Sequence, residues 1–150
     1  MSRVQEIADY ITQQIGQTKS VAITLKKSND SNVIEIEPQH QRAGMCYAPI
    51  SIIVNEKGDY LGFHVGKGNT FDTSDSYNAT DKEYIWDIVK ACLDGNLKET
   101  IYERNGKILK SKLEILLPSG WTTFTYHSGP LSFGGKKSYI KYEPYPVDQN

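Results

Sequence analysis

Two cysteines and three histidines among 150 residues leave little material for metal or thiol chemistry. Cys46 and Cys92 lie far apart with no neighbouring cysteine, and His40, His64 and His127 show no paired spacing of the zinc-protease kind, so no zinc-type cluster is expected. The two thiols read as reduced and buried; a bridge between them would need Cα atoms within about 7 Å. Long apolar runs are also missing. The longest, Ala48 to Val54, is interrupted by Pro49 and Ser51 and falls far short of a membrane span. The opening Met1-Ser2-Arg3-Val4-Gln5-Glu6 turns amphipathic at once, without the apolar stretch of a signal peptide, which reads as cytosolic. A leaderless product exported by a dedicated machine would look the same. No charge sign dominates: 17 Lys and Arg against 18 Asp and Glu give −1, which excludes a generally basic nucleic-acid binder and an acidic tail.

What is present is an ordinary globular composition, 38% hydrophobic and 23% charged, long enough to bury a core without metal or disulfide. Val4, Ile7, Ala8, Ile11 and Ile15 repeat at helical spacing between Ser2, placed to form a capping box with Gln5, and Gly16 as terminator. Val21, Ile23 and Leu25 alternate with polar neighbours as a strand; a turn at residues 28–32 leads to a second strand with Ile34 and Ile36. Ile50 to Val54 and Leu61 to Val65 form a hairpin through Asn55-Glu56-Lys57-Gly58. Residues 66–79 show no period. Thr80 with Glu83 predicts a second capping box, followed by a helix whose inner stripe is Tyr84, Ile85, Ile88, Val89 and Cys92 and which ends before Gly95.

Four strands follow: Leu97 to Arg104 and Lys107 to Leu117 about Asn105-Gly106, then Trp121 to His127 and Ser138 to Tyr142. With no internal repeat or composition break, the chain reads as one α+β domain over 1–150. It would hold a mainly antiparallel sheet of about eight strands, with the N-terminal and central helices packed on one face.

Candidate chemistry is sparse. His40, Cys46 and His64 form the one composite site worth weighing for catalysis or ligand binding. Gly66-Lys67-Gly68 lacks both the P-loop frame and a helix directly behind it, so it reads as a turn that ends a strand. Asp72, Asp75 and Asp81 do not match the alternate spacing of a calcium loop. No metal site, cofactor or catalytic centre is expected.

The near-neutral total conceals a division. Residues 72–103 carry eight acids against three lysines, a net of −5; residues 104–141 carry seven bases against Glu114, a net of +6. Glu99 or Glu103 could neutralise lysines across the Asn105-Gly106 hairpin. Tyr139, Tyr142 and Tyr145, beside Lys136, Lys137 and Lys141, suggest stacking on single-stranded nucleic acid. A period of three cannot keep them on one strand face, so a partly buried sheet end ranks first, protein contact second and nucleic acid third.

The order Gly66-Lys67-Gly68-Asn69-Thr70-Phe71, a helix over Glu83–Leu93, Asp94-Gly95-Asn96-Leu97-Lys98-Glu99-Thr100, Asn105-Gly106 and Pro118-Ser119-Gly120-Trp121 resembles small immunity proteins of bacterial polymorphic and contact-dependent growth-inhibition toxin systems. The likeness covers roughly residues 50–130. It implies a cytosolic, non-enzymatic protein that binds a cognate toxin domain, a nuclease among the candidates, and has neither cofactor nor membrane contact. An acidic face would offer carboxylates where a nuclease expects phosphates. That gives Asp72, Asp75, Tyr77, Asp81 and Asp87 as the expected partner-binding set.

Overall fold

The computed structural model describes residues 2–55, 60–73, 79–128 and 135–147, with no side-chain account of residues 73 and 79–81. Helix α1 (Arg3–Ile15) buries Val4, Ile7, Ala8, Ile11 and Ile15. Ser2 caps it by accepting from the Gln5 N–H, and Gly16, at φ 56°, closes it. Only half of the predicted capping box forms, because the Gln5 side chain turns to Asp9 instead. Strands β1 (Val21–Ser28), β2 (Ser31–Pro38), β3 (Ile50–Asn55), β4 (Leu61–Val65) and β5 (Asn69–Thr73) make a five-stranded antiparallel sheet in sequence order.

Helix α2 (Ala79–Leu93) leads to β6 (Leu97–Arg104), β7 (Lys107–Leu117), β8 (Gly120–His127) and β9 (Lys136–Lys141). These form a second antiparallel sheet ordered β8-β7-β6-β9. The architecture is therefore the expected α+β layering, with two sheets in place of one and nine strands among the described residues. The additional strand, β5, lies inside the stretch that showed no period.

Local signals explain the turns. Asn105 (φ 52°) and Gly106 (φ 78°) both adopt the left-handed backbone that a two-residue hairpin turn requires. Helix α2 starts one residue ahead of Thr80, so Thr80 sits inside the first turn and not at the predicted cap. At its other end Asn96 N–H donates to Ala91 O and Gly95 N–H to Cys92 O, a Schellman closure. Gly95 (φ 72°) is required twice, since a Cβ there would also strike the Pro144 backbone.

One core joins both sheets and both helices. Strand β5 lies against β8 and β7, where Phe71 stacks on Phe63 and on Phe124 at centroid distances of 5.1 and 4.0 Å. The C-terminal segment straps the layers together. Tyr145, almost fully buried, donates to Ala48 O at 2.6 Å, and its own N–H donates to Leu93 O. Among the described residues no helix is long and apolar enough to cross a membrane.

Candidate functional site

Strand periodicity divides the second sheet into two unlike faces. Leu97, Glu99 and Ile101 on β6, with Ser111, Leu113 and Ile115 on β7, point inward and are buried. Glu99 is the unexpected member. Its Oε1 accepts from the Lys67 N–H (2.8 Å) and the Tyr142 hydroxyl (2.6 Å); its Oε2 accepts from the Gly68 N–H (3.1 Å) and the Ser111 hydroxyl (2.6 Å). Four donors on two oxygens suit a carboxylate.

The Gly66-Lys67-Gly68 turn is thus an anion nest whose anion is internal. Gly66 is at φ 76°, and a Cβ there would collide with Glu99 Oε1. Burial first, and then the hydrogen bond and charge of Glu99, push the Tyr142 phenol well above its ordinary value. Asn69, also buried, donates to Ser111 O, Ser111 Oγ and Phe124 O, while its Oδ1 has no hydrogen-bond partner.

The outward face is lined by lysines and aromatics. The registers place Trp121 with Leu116, then Thr123, Glu114, Lys98 and Lys141 in one row. Thr125, Lys112, Thr100 and Tyr139 form the next, and His127, Lys110, Tyr102 and Lys137 the last. Trp121 is 54% exposed and Tyr139 73%. Lys98 lies over the Trp121 ring at 5.1 Å, Lys137 over Tyr139 at 5.1 Å, and Lys110 and Lys137 both over Tyr102 at 5.2 and 5.7 Å. The neighbouring Tyr139 first, with Tyr102 adding, holds Lys137 above its ordinary value. A groove of about 590 Å³ opens here, lined by Lys98, Thr100, Glu114, Trp121, Tyr139 and Lys141.

The residues expected from sequence are distributed differently. Asp72 is exposed on β5, opposite Gly62. Asp87 is half-buried on α2, its carboxyl pushed up by burial and then by Glu83, with Lys90 opposing. Asp75 and Tyr77 lie outside the described residues, and Asp81 is in the first turn of α2 with no described side chain. His64 is half-buried, its Nδ1 3.0 Å from Thr70 Oγ1, while His40 and Cys46 are exposed in the connection before β3. Among the described residues no group of three or more His, Cys, Asp and Glu is placed to hold a metal ion.

Cys46 and Cys92 are both free thiols; only Cys92 is buried, and that burial pushes its thiol far up. The three C-terminal tyrosines separate as the period required: Tyr142 and Tyr145 are buried, and Tyr139 alone faces outward. Glu99 does not neutralise lysines across the hairpin, because it faces Leu113 and points inward; Glu103 pairs with Lys67 at 3.0 Å.

The outward platform was missed in the sequence because its residues come from four strands. The signal was present strand by strand, in the alternation Trp121, Thr123, Thr125, His127 and in Lys98, Thr100, Tyr102. No family model, curated protein or solved structure matches this chain.

Proposed function

We propose that this chain is a recognition protein of the immunity type, which neutralises a cognate toxin domain by covering it, and that its contact surface is the outer face of the β8-β7-β6-β9 sheet. The observation that carries the reading is the pair of exposed aromatics, Trp121 and Tyr139, presented on a sheet face across a groove. Tyrosine and tryptophan bring large apolar area, a polar tip and few rotatable bonds, which makes them frequent contact hot spots. Beneath them the Glu99 network ties β6 and β7 to the β4–β5 turn, so the face is preformed and loses little entropy on binding. The resemblance of the segment from Gly66 to Trp121 to toxin-neutralising proteins supports the partner class.

The test is co-expression with the C-terminal domain of the protein encoded by the neighbouring gene, which on this reading arrests growth when expressed alone. Growth rescue by the wild type, lost in a Trp121→Ala/Tyr139→Ala double variant that keeps its melting temperature, is the expected result. Growth arrest that the wild type does not relieve overturns the immunity reading. Rescue that survives the double variant moves the contact elsewhere. The exposed Asp72 favours one specific alternative, in which Asp72, Asp75, Tyr77, Asp81 and Asp87 meet a cationic toxin. Rescue lost in Asp72→Lys/Asp87→Lys, and kept in the aromatic double variant, would select it.

A further inference from the structure

The lysine arrangement on the outer face of the second sheet has a chemistry beyond simple exposure. Lys98 on β6 is directly opposite Lys141 on β9, and like charges in that position repel. Two rows along, Lys110 and Lys137 flank the same Tyr102 ring from the strands on either side. With Lys112, five lysines share these rows, and Glu114, beside Lys98, is the one acid among the described strand positions of this face.

Three other acids of this region are engaged elsewhere. Glu99 is turned inward to the Gly66-Lys67-Gly68 nest, Glu103 is paired with Lys67, and Asp94 is paired with Lys90 and Lys19. A face of crowded cations beside a groove walled by Trp121 and Tyr139 is complementary to a negatively charged, partly apolar partner.

We infer that the outer face of the second sheet docks an acidic protein segment, with a carboxylate seated between Lys98 and Lys141 and its flanking residues packed against Trp121 and Tyr139. This inference rests on the partner-binding reading above and adds the chemistry of the partner.

A protein segment fits better than single-stranded nucleic acid for two reasons. The faces of Trp121, Tyr102 and Tyr139 already hold lysine ammonium groups, which bases would have to displace before stacking. Trp121 and Tyr139 also stand on the two edge strands, three strand spacings or roughly 14 Å apart, too far for neighbouring bases to bridge. Lys98, already held over the Trp121 ring, is in contrast preorganised to receive a carboxylate.

The test uses the full chain and three fluorescein-labelled probes: octaglutamate, octalysine and a twelve-residue oligothymidylate. Anisotropy titrations at low and moderate salt should show saturable binding of octaglutamate that weakens with salt, and no binding of octalysine. Lys98→Glu/Lys141→Glu should weaken the octaglutamate complex at least about tenfold, the scale of losing close charge pairs. Lys98→Arg/Lys141→Arg should retain it, which separates lost charge from lost fold. Absence of octaglutamate binding, binding indifferent to the charge reversal, or oligothymidylate binding tighter than octaglutamate would each overturn the inference. If growth rescue holds while octaglutamate fails, the partner-binding reading survives and only the acidity of the partner falls.

Discussion

The two sheets are built alike and finish differently on their solvent faces. Each turns apolar side chains inward to a shared core, Ile34, Ile52 and Phe63 from one and Leu97, Leu113 and Ile115 from the other. On the outer face of the first sheet Thr24, Glu35, Ser51, His64 and Thr70 form a continuous cross-strand row. Lys26 pairs with Glu35 at 3.0 Å, and His64 engages Thr70. On that face the strand lysine has its carboxylate. On the second sheet Glu99 is turned inward, and five lysines are left outward, with Lys98, Lys110 and Lys137 over aromatic rings. A single choice of strand face for Glu99 therefore does two things: it locks the β4–β5 turn to the second sheet, and it removes a counter-charge from the outer surface.

The largest expected effect breaks the inward half of that arrangement. Glu99→Gln places an amide where four donors converge, and Gly66→Ala drives a methyl into the same carboxylate at a left-handed backbone position. Each should destabilise the fold by about 3 kcal/mol, measured by urea denaturation, as expected for a broken buried network. A loss below about 1 kcal/mol would show that the network is not a structural lock.

Next in size is alkaline pH. Cys92, Tyr142 and Tyr145 all have pKa values raised by burial. A raised acid favours its protonated form in the fold, so its contribution is complete below the unfolded-state value and is lost as pH rises above it. Stability should be flat from neutrality to about pH 9 and then fall, approaching about 1.4 kcal/mol per pH unit for each group engaged. Chemical denaturation from pH 7 to 11 checks the sign; stability that held through pH 11 would contradict the buried placement. The thiols sharpen the same point, since a thiol reagent should label Cys46 in the folded protein and reach Cys92 only on unfolding.

The smallest effects on stability fall on the outer faces, and there the sheets should part in function. Lys98→Glu/Lys141→Glu should change stability by less than about 0.5 kcal/mol while abolishing rescue from the partner. Lys26→Glu on the first sheet forfeits an exposed ion pair of at most about 1 kcal/mol and should leave rescue intact. Equal losses of rescue from both variants would dissolve the contrast between the faces.

Much of the frame was legible in sequence. The stripe Val4, Ile7, Ala8, Ile11, Ile15 marked α1, and Asn105-Gly106 fixed the β6–β7 hairpin, because these signals act within a few residues. Strand β5 was not legible: Asn69-Thr70-Phe71-Asp72-Thr73 is short and mixed, and it pairs because β4 offers an edge. The strand order of the second sheet depends on β9 joining β6, a non-local pairing that no local pattern encodes.

Charge counted by segment does not give the charge of a surface, for the same reason. Residues 72–103 sum to −5, yet Glu99, Glu103 and Asp94 are engaged within the fold, while four of the lysines downstream, Lys110, Lys112, Lys137 and Lys141, share one surface. The inward place of Glu99 could have been found, since it shares a face with Leu97 and Ile101 at period two. Its partners, from residues 66–68, could not.

The most direct test of the central claim is amide chemical-shift mapping of the isotope-labelled chain, titrated with whichever domain it is found to protect against in the co-expression experiment. The account predicts perturbations centred on Lys98, Thr100, Trp121, Tyr139 and Lys141, with Thr24, Glu35, Ser51 and His64 unmoved. Perturbations centred on the first sheet, or on Asp72 and Asp87, would contradict it.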